Sequence, residues 1–252
     1  PIFLDVVSSQ KISVGTPFYH KLIIPFLIPF LLMMAIVPKL KWIKSNLQDK
    51  IYLLSLLIVS ILVSFFIIKN FEYNILVNTI LIASAFYLFF VTLRDFFIKK
   101  YKNLAQNIAH FGFSLLILSI LFNNLLSTEI VTNLKVGEAY EDSNTKIFFE
   151  SIDQKNKKNY KAIIANFSIL NSNGTNDNLS PELRVYNQPK ITTSEADIQT
   201  TLMKDKFIVI NLVQNQDYFN VRYQVKPFML WIWFSVIIIS FGGLMSFLKK
   251  RI

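Results

Sequence analysis

The sequence contains no cysteine. Disulfides, thiolate metal sites, iron–sulfur clusters and cysteine nucleophiles are thereby excluded. Histidine is nearly as scarce: His20 and His110 are the only two, too few for a histidine-built metal cage. No phosphate-binding loop, HExxH or GxSxG motif occurs, so the common marks of nucleotide, zinc-peptidase and hydrolase chemistry are missing. Acidic residues number 16 against 26 lysines and arginines. They lie in loops and in one polar block, where the default is a solvated surface, and no pair is spaced for acid–base catalysis. Internal repeats and broken midplane helices, common in transporters, are not visible either.

What the chain has in quantity is apolar surface. Hydrophobic residues make up 53% of it and the mean hydropathy is +0.43, which points to a membrane protein. The apolar residues fall in five runs, 22–37, 51–68, 75–93, 107–126 and 228–248. A crossing helix needs roughly 20 such residues to match a hydrocarbon core of about 30 Å. The formal net charge of +10 would raise the question of nucleic acid in a soluble protein. Here many lysines flank apolar runs, as topology signals do, so no nucleic-acid partner is expected.

Charge also sets the expected orientation. The segment after the first run carries Lys39, Lys41, Lys44 and Lys50 against Asp49, and the segment after the third carries Arg94, Lys99, Lys100 and Lys102 against Asp95. The turn KNFEYN after the second is nearly neutral, and the tail carries Lys249, Lys250 and Arg251. If the spans alternate, every basic segment falls on one side, the cytoplasm or mitochondrial matrix. This divides the chain into an extracytoplasmic lead (1–20), a four-helix membrane region (21–126), an extracytoplasmic block (127–226), and a last helix with a basic tail (227–252). Trp231 and Trp233 at the outer side, and Trp42 and Tyr101 at the inner, stand where amphipathic rings settle. The expected membrane is a bacterial inner membrane or a mitochondrial one.

Within the chain, Gly15 and Pro17 mark the end of the lead as a turn, and Pro25 and Pro29 predict a kinked first helix. Ala105, Ala109 and Gly112 form one stripe of the fourth run, and Gly242 and Ser246 one stripe of the fifth, a common device for close helix packing. The block 127–226 reads as β: TKIFFESI, YKAIIANFSIL, DKFIVINLV and FNVRYQVK are rich in β-branched and aromatic residues. A short helix is expected to start at Ser194, where SEAD offers a cap followed by acids. The Asn-X-Ser/Thr triplets at Asn166, Asn173 and Asn178 read as chance matches in an asparagine-rich stretch. The fold class is thus a polytopic α-helical membrane protein of about five spans with an inserted, mostly antiparallel β domain.

His110 is the residue that asks for chemistry. It lies in the first turns of an otherwise uncharged span, where an ionisable group is costly and is read as facing protein, a cavity or a cofactor. Two readings stand: a snorkelling interfacial residue, or an imidazole ligand to haem iron, with Ala109 and Gly112 leaving room for a porphyrin. His20, beside Tyr19 at the outer edge of the first span, reads as interfacial.

Several stretches resemble the C-terminal part of the CcmF/NrfE haem-handling family. KISVGTPFYHK is similar to its K-I-S-V-G-x-P-Y-F segment, and NIAHFGFSLL resembles its A-H-x-G membrane helix. LRVYNQPKITTSEADIQTTLMKDKFIVI and KPFMLWIWFSVIIISFGGLMSF resemble its outer-domain run and its closing W-I-W helix. The resemblance implies a membrane subunit of a cytochrome c synthetase (haem lyase) complex. In that complex haem delivered by the chaperone CcmE is attached to apocytochrome c on the outer side, alongside a CcmH-type thiol subunit. It further implies that His110 is one axial ligand to the iron of a membrane haem b. The family's Trp-rich loop, partner membrane histidine and outer histidines are not in this sequence. This portion is therefore expected to supply half of the haem site and the outer β domain, and not to be catalytic alone. It is expected to be a fragment, or one piece of a split protein that works with its N-terminal half. Competing readings are a polytopic haem or small-molecule transporter, and a structural subunit whose outer domain docks partners among membrane lipid. Reporter fusions test the map: a reporter active only outside the cytoplasm should work when fused within 127–226 and fail within 40–49, and the reverse pattern would overturn it.

Overall fold

The computed structural model describes residues 16–39, 47–71, 75–98, 104–143, 145–171, 174–213 and 217–249. The lead up to residue 15, Trp42, Tyr101, Asn173 and the tail from residue 250 lie outside the described residues. Among the described residues, five helices are long and apolar enough to cross a membrane: α1 (Thr16–Ile36, continued by a 3-10 turn, Val37–Lys39), α2 (Leu47–Ile68), α3 (Ile75–Ile98), α4 (Leu104–Leu126) and α5 (Met229–Lys249). In hydrocarbon each backbone donor and acceptor must be paired within the chain, and a helix does so inside one segment. The helix α3 is the buried one, with Leu81, Ala85, Leu88 and Val91 shielded, and it packs against both α1 and α2.

Two helix boundaries differ from the sequence reading. Residues from Thr16 are helical rather than a turn, because Pro17 falls in the first turn, where its missing N–H has no helical partner to lose. The helix then runs through Pro25 and Pro29. At the other boundary, α3 passes Leu93 and ends at Ile98, so Arg94 and Asp95 belong to a helix and not to a loop. Both charges are accommodated there. Asp95 accepts a hydrogen bond from Lys39 in a pair that is nearly solvent-free, and the Arg94 guanidinium lies 3.7 Å from the centre of the Tyr52 ring.

Between α4 and α5 the chain forms an antiparallel β sandwich. Its strands are β1 (Thr128–Leu134), β2 (Ala139–Glu141), β3 (Thr145–Asn156), β4 (Tyr160–Asn171), β5 (Asn176–Leu179), β6 (Glu182–Tyr186), β7 (Thr192–Glu195), β8 (Asp197–Thr200), β9 (Lys204–Leu212) and β10 (Phe219–Pro227). One sheet has the order β1-β10-β9-β8 and the other β2-β3-β4-β6-β7, with β5 also on β4. Alternate residues of both sheets point inward. Phe149 stacks on Phe167 at 4.4 Å and meets Phe219 edge-on at 5.7 Å, and Ile147, Ile169, Ile208 and Val221 complete the centre. By contacts the described residues form two units, one up to Leu118 and from Phe234, the other Ser119–Trp233.

The expected helix at Ser194 is absent. Thr192–Glu195 is a strand on β6 and Asp197–Thr200 a strand on β9, so SEAD is where the chain passes from one sheet to the other. The acid that looked like a first-turn charge is used elsewhere: Asp197 accepts a hydrogen bond from the Ser180 backbone N–H at 2.6 Å. The Asn166 amide donates to Ser151 and Asp153 and accepts from Ser180 on the sheet surface.

One ion pair sits inside the sandwich. Lys206 on β9 donates to Asp177 on β5, and Asn171 donates to the same carboxylate oxygen at 2.7 Å. Burial alone would raise the Asp177 carboxyl, but the hydrogen bonds from Lys206 and Asn171 and the Lys206 charge outweigh it and hold it below 3.8. The buried Tyr223 hydroxyl, with no hydrogen-bond partner among the described residues, is pushed up to about 12 by burial and by the Asp177 charge. A carboxyl lowered in the fold stabilises fully above its unfolded value, and that contribution is lost as the pH falls through the folded value. Denaturation followed by tryptophan fluorescence should therefore show a shallower loss of stability below pH 3.8 in Asp177→Asn than in the parent. At neutral pH Asp177→Leu should cost about 3–5 kcal/mol, and Asp177→Leu with Lys206→Met should recover most of it.

Candidate functional site

Three faces of α4 meet three other helices. Phe111 packs on α3, 5.3 Å from Phe89 and 5.6 Å from Phe96 between ring centres. Ala105, Ala109 and Gly112 face α5. Gln106, His110 and Phe113, spaced to share a third face, turn toward α1, where Phe113 meets Phe30 edge-on at 5.9 Å.

The α5 face is filled. A Cβ placed on Gly242 would lie 2.7 Å from the Ala109 nitrogen and 2.9 Å from the Ala105 oxygen, and one placed on Gly112 would lie 2.9 Å from side-chain carbons of Ile238 and Ile239. Backbone thus meets backbone, as the small-residue stripes predict. This corrects one part of the sequence argument: Ala109 and Gly112 leave no room for a porphyrin, because α5 occupies the space.

Room exists instead on the α1 side. His110 and Gln106 line a groove of about 340 Å³ together with Phe30, Met33, Met34, Val37 and Pro38. Its wall is apolar except for those two α4 side chains, and His110 is half-buried. An imidazole at an apolar wall suits a flat, largely apolar ligand that needs one nitrogen donor, such as a metalloporphyrin. The groove ends next to Lys39, whose charge is committed to Asp95. His110 and Gln106 sit one turn apart, a relation legible in the sequence, whereas nothing in the apolar run of α1 marked Met33, Met34 or Val37. The Lys39–Asp95 pair had a faint signal, a lone acid among basic residues. The backbone of His20 lies in α1; its side chain is outside the described residues. Among the described residues no group of three or more His, Asp or Glu gathers as a metal site.

Residues 125–227 match the family model described as the CcmF C-terminal beta-sandwich. Along its whole length the chain is 25% identical to the cytochrome c-type biogenesis protein CcmF of Pseudomonas fluorescens and covers 40% of it. It is 23% identical, again along its whole length, to the cytochrome c-type biogenesis protein NrfE of Haemophilus influenzae and covers 41% of that relative. A solved structure of a cytochrome c haem lyase CcmF shares the fold, with a TM-score of 0.69 and 18% identity over 91% of this chain and 40% of that one. The chain therefore spans about 40% of the length of the curated relatives it matches, and the resemblance to the C-terminal part of CcmF holds.

The α4–α5 seam gives a paired test. Gly242→Ala must push two backbones apart, whereas a Cβ on Gly243 meets nothing within 4 Å. Thermal unfolding in detergent should show a loss of about 1–3 kcal/mol for Gly242→Ala and none for Gly243→Ala; equal behaviour would mean that the seam is not close-packed.

Proposed function

We infer that this chain, alike throughout to the C-terminal part of CcmF, performs that part's work in cytochrome c maturation, with His110 a ligand of a membrane haem. The observation that carries this reading is the groove: one imidazole, on a helix that crosses the membrane, facing an apolar wall from a second helix. Bound there, a haem b would supply a redox-active iron. His110 would hold the metal from one side through a ring nitrogen. Phe30, Met33 and Val37 would cover the ring and keep water from it, and Gln106 is the other polar side chain among the described residues that line the groove. Among the described residues, the groove is walled by α1 with its 3-10 turn and by α4.

The basic segments support an orientation with the sandwich on the periplasmic or intermembrane side. There it would meet a CcmE-type haem chaperone, apocytochrome c and a CcmH-type thiol subunit. His110, which precedes by four turns the end of α4 that leads into β1, would then serve a resident haem rather than the haem being attached. This reading separates the site from a transporter pathway, since a ligand fixed through its metal does not traverse the bilayer.

Absorption spectra test it, on the chain co-purified with the remainder of a CcmF-type protein. The expected result is a low-spin b-type spectrum that is weakened or lost in His110→Ala and kept in His20→Ala, with unchanged unfolding temperatures in both. An unaltered spectrum in His110→Ala discards the ligand assignment.

A further inference from the structure

The β8–β9 hairpin turns through Leu202 and Met203. Thr201 and Lys204 close the turn: the Thr201 N–H and hydroxyl both donate to the Lys204 carbonyl, at 3.0 and 2.6 Å. Turn positions usually carry Gly, Asn, Asp, Ser or Pro, each for a conformational reason. Here the two central side chains are large and apolar, and they stand 62% and 56% exposed. An apolar pair at a loop tip finds no cover within the fold.

The position of that tip says what covers it. Lys204 pairs with Pro227, the last residue of β10. The Phe228 N–H donates to the Met203 carbonyl at 2.8 Å, and the Trp231 indole N–H donates to the Leu202 carbonyl at 3.0 Å. Leu202 is thus fastened to the first turn of α5, and Met203 to the residue just before it, at the start of a helix apolar enough to cross a membrane. Leu230 and Trp233, within the first five residues of α5, are exposed as well. Tryptophan is enriched where a span passes from hydrocarbon to headgroup, its ring in the apolar layer and its N–H toward the polar one. A tip hydrogen-bonded to Trp231 shares that depth, and Lys204 and Lys226 flank it as groups suited to lipid phosphates.

We propose that the Leu202–Met203 tip is a lipid-binding loop, inserted in the membrane interface beside the start of α5. It gives the sandwich a second point of attachment to the bilayer near its chain connection, and its occupant is acyl chain and glycerol rather than a protein. The inference needs only that α5 crosses a membrane; it is independent of haem and of which side the sandwich occupies.

The absence of cysteine makes the test direct. Single-cysteine variants Leu202→Cys and Met203→Cys, with Ile237→Cys on α5 as the lipid reference and Val136→Cys as the aqueous one, are spin-labelled. Val136 follows β1 at the far end of the sheet, where Leu134 pairs with Phe219, about 20 Å along the strand from Thr128. The full chain is reconstituted in mixed phosphatidylcholine and phosphatidylglycerol vesicles, and collision rates with oxygen and with an aqueous nickel chelate are measured. Labels at 202 and 203 should show several-fold less nickel access and more oxygen access than the label at 136, approaching Ile237. Nickel access equal to that at 136 overturns the proposal. Thr201→Cys, a smaller change at the same tip, supplies the reading if either variant unfolds.

Discussion

The contact on which the arrangement depends is the one between α4 and α5 at Gly242, where two backbones meet with no side chain between them. In lipid, apolar side chains gain nothing by leaving hydrocarbon for one another, so helices associate through close fit. Ala105, Ala109, Gly112 and Gly242 supply it. The same two helices bracket the sandwich. Strand β1 starts two residues after α4, β10 ends two residues before α5, and β1 and β10 pair along their length. The Asn123 side-chain amide also donates to the Pro227 carbonyl at 2.6 Å, which ties the end of α4 to the end of β10. With one face of α4 taken by α5 and another by α3, His110 is directed to the face that remains.

Charge in the helical unit is handled by pairing rather than by exclusion. Asp95 and Lys39 are both about nine-tenths shielded and bonded to each other, and Arg94 lies over an aromatic ring. Such groups are tolerated in a span when they are partnered. The pair also joins the end of α1 to α3, which fixes the segment carrying Val37 and Pro38 at the edge of the His110 groove. In the sandwich Lys206 and Asp177 play a comparable part, linking β9 of one sheet to β5 of the other.

Much of this was legible in the sequence, for physical reasons that differ by element. The five spans were readable because a hydrocarbon core imposes length and polarity at once. Strands β3, β4, β9 and β10 were readable because they are long and apolar on alternate residues. Short strands such as β5, Asn-Asp-Asn-Leu, carry no pattern of their own; their neighbours define them. SEAD misled because a cap followed by acids is locally a helix start, and only the register with β6 and β9 decides otherwise. His110 stood out as an ionisable group in a span. Its groove did not, because α1 from Leu22 onward is apolar on every side, so its sequence gives no hint of which face meets α4. The small residues beside His110 pointed to close approach correctly and to the wrong occupant.

The pairing of β1 with β10 has a consequence for how the protein is made. The two strands are separated by about ninety residues, a long-range contact of the kind that slows folding, and β1 is the first part of the sandwich to leave the ribosome. Until β10 follows, β1 has no strand partner among the described residues, although β3 and β4 can already close on each other as a local hairpin. One sheet is therefore complete in outline while the other waits for the residues that immediately precede the last span. Completion of the sandwich and membrane entry of α5 are, on this topology, nearly the same event in synthesis.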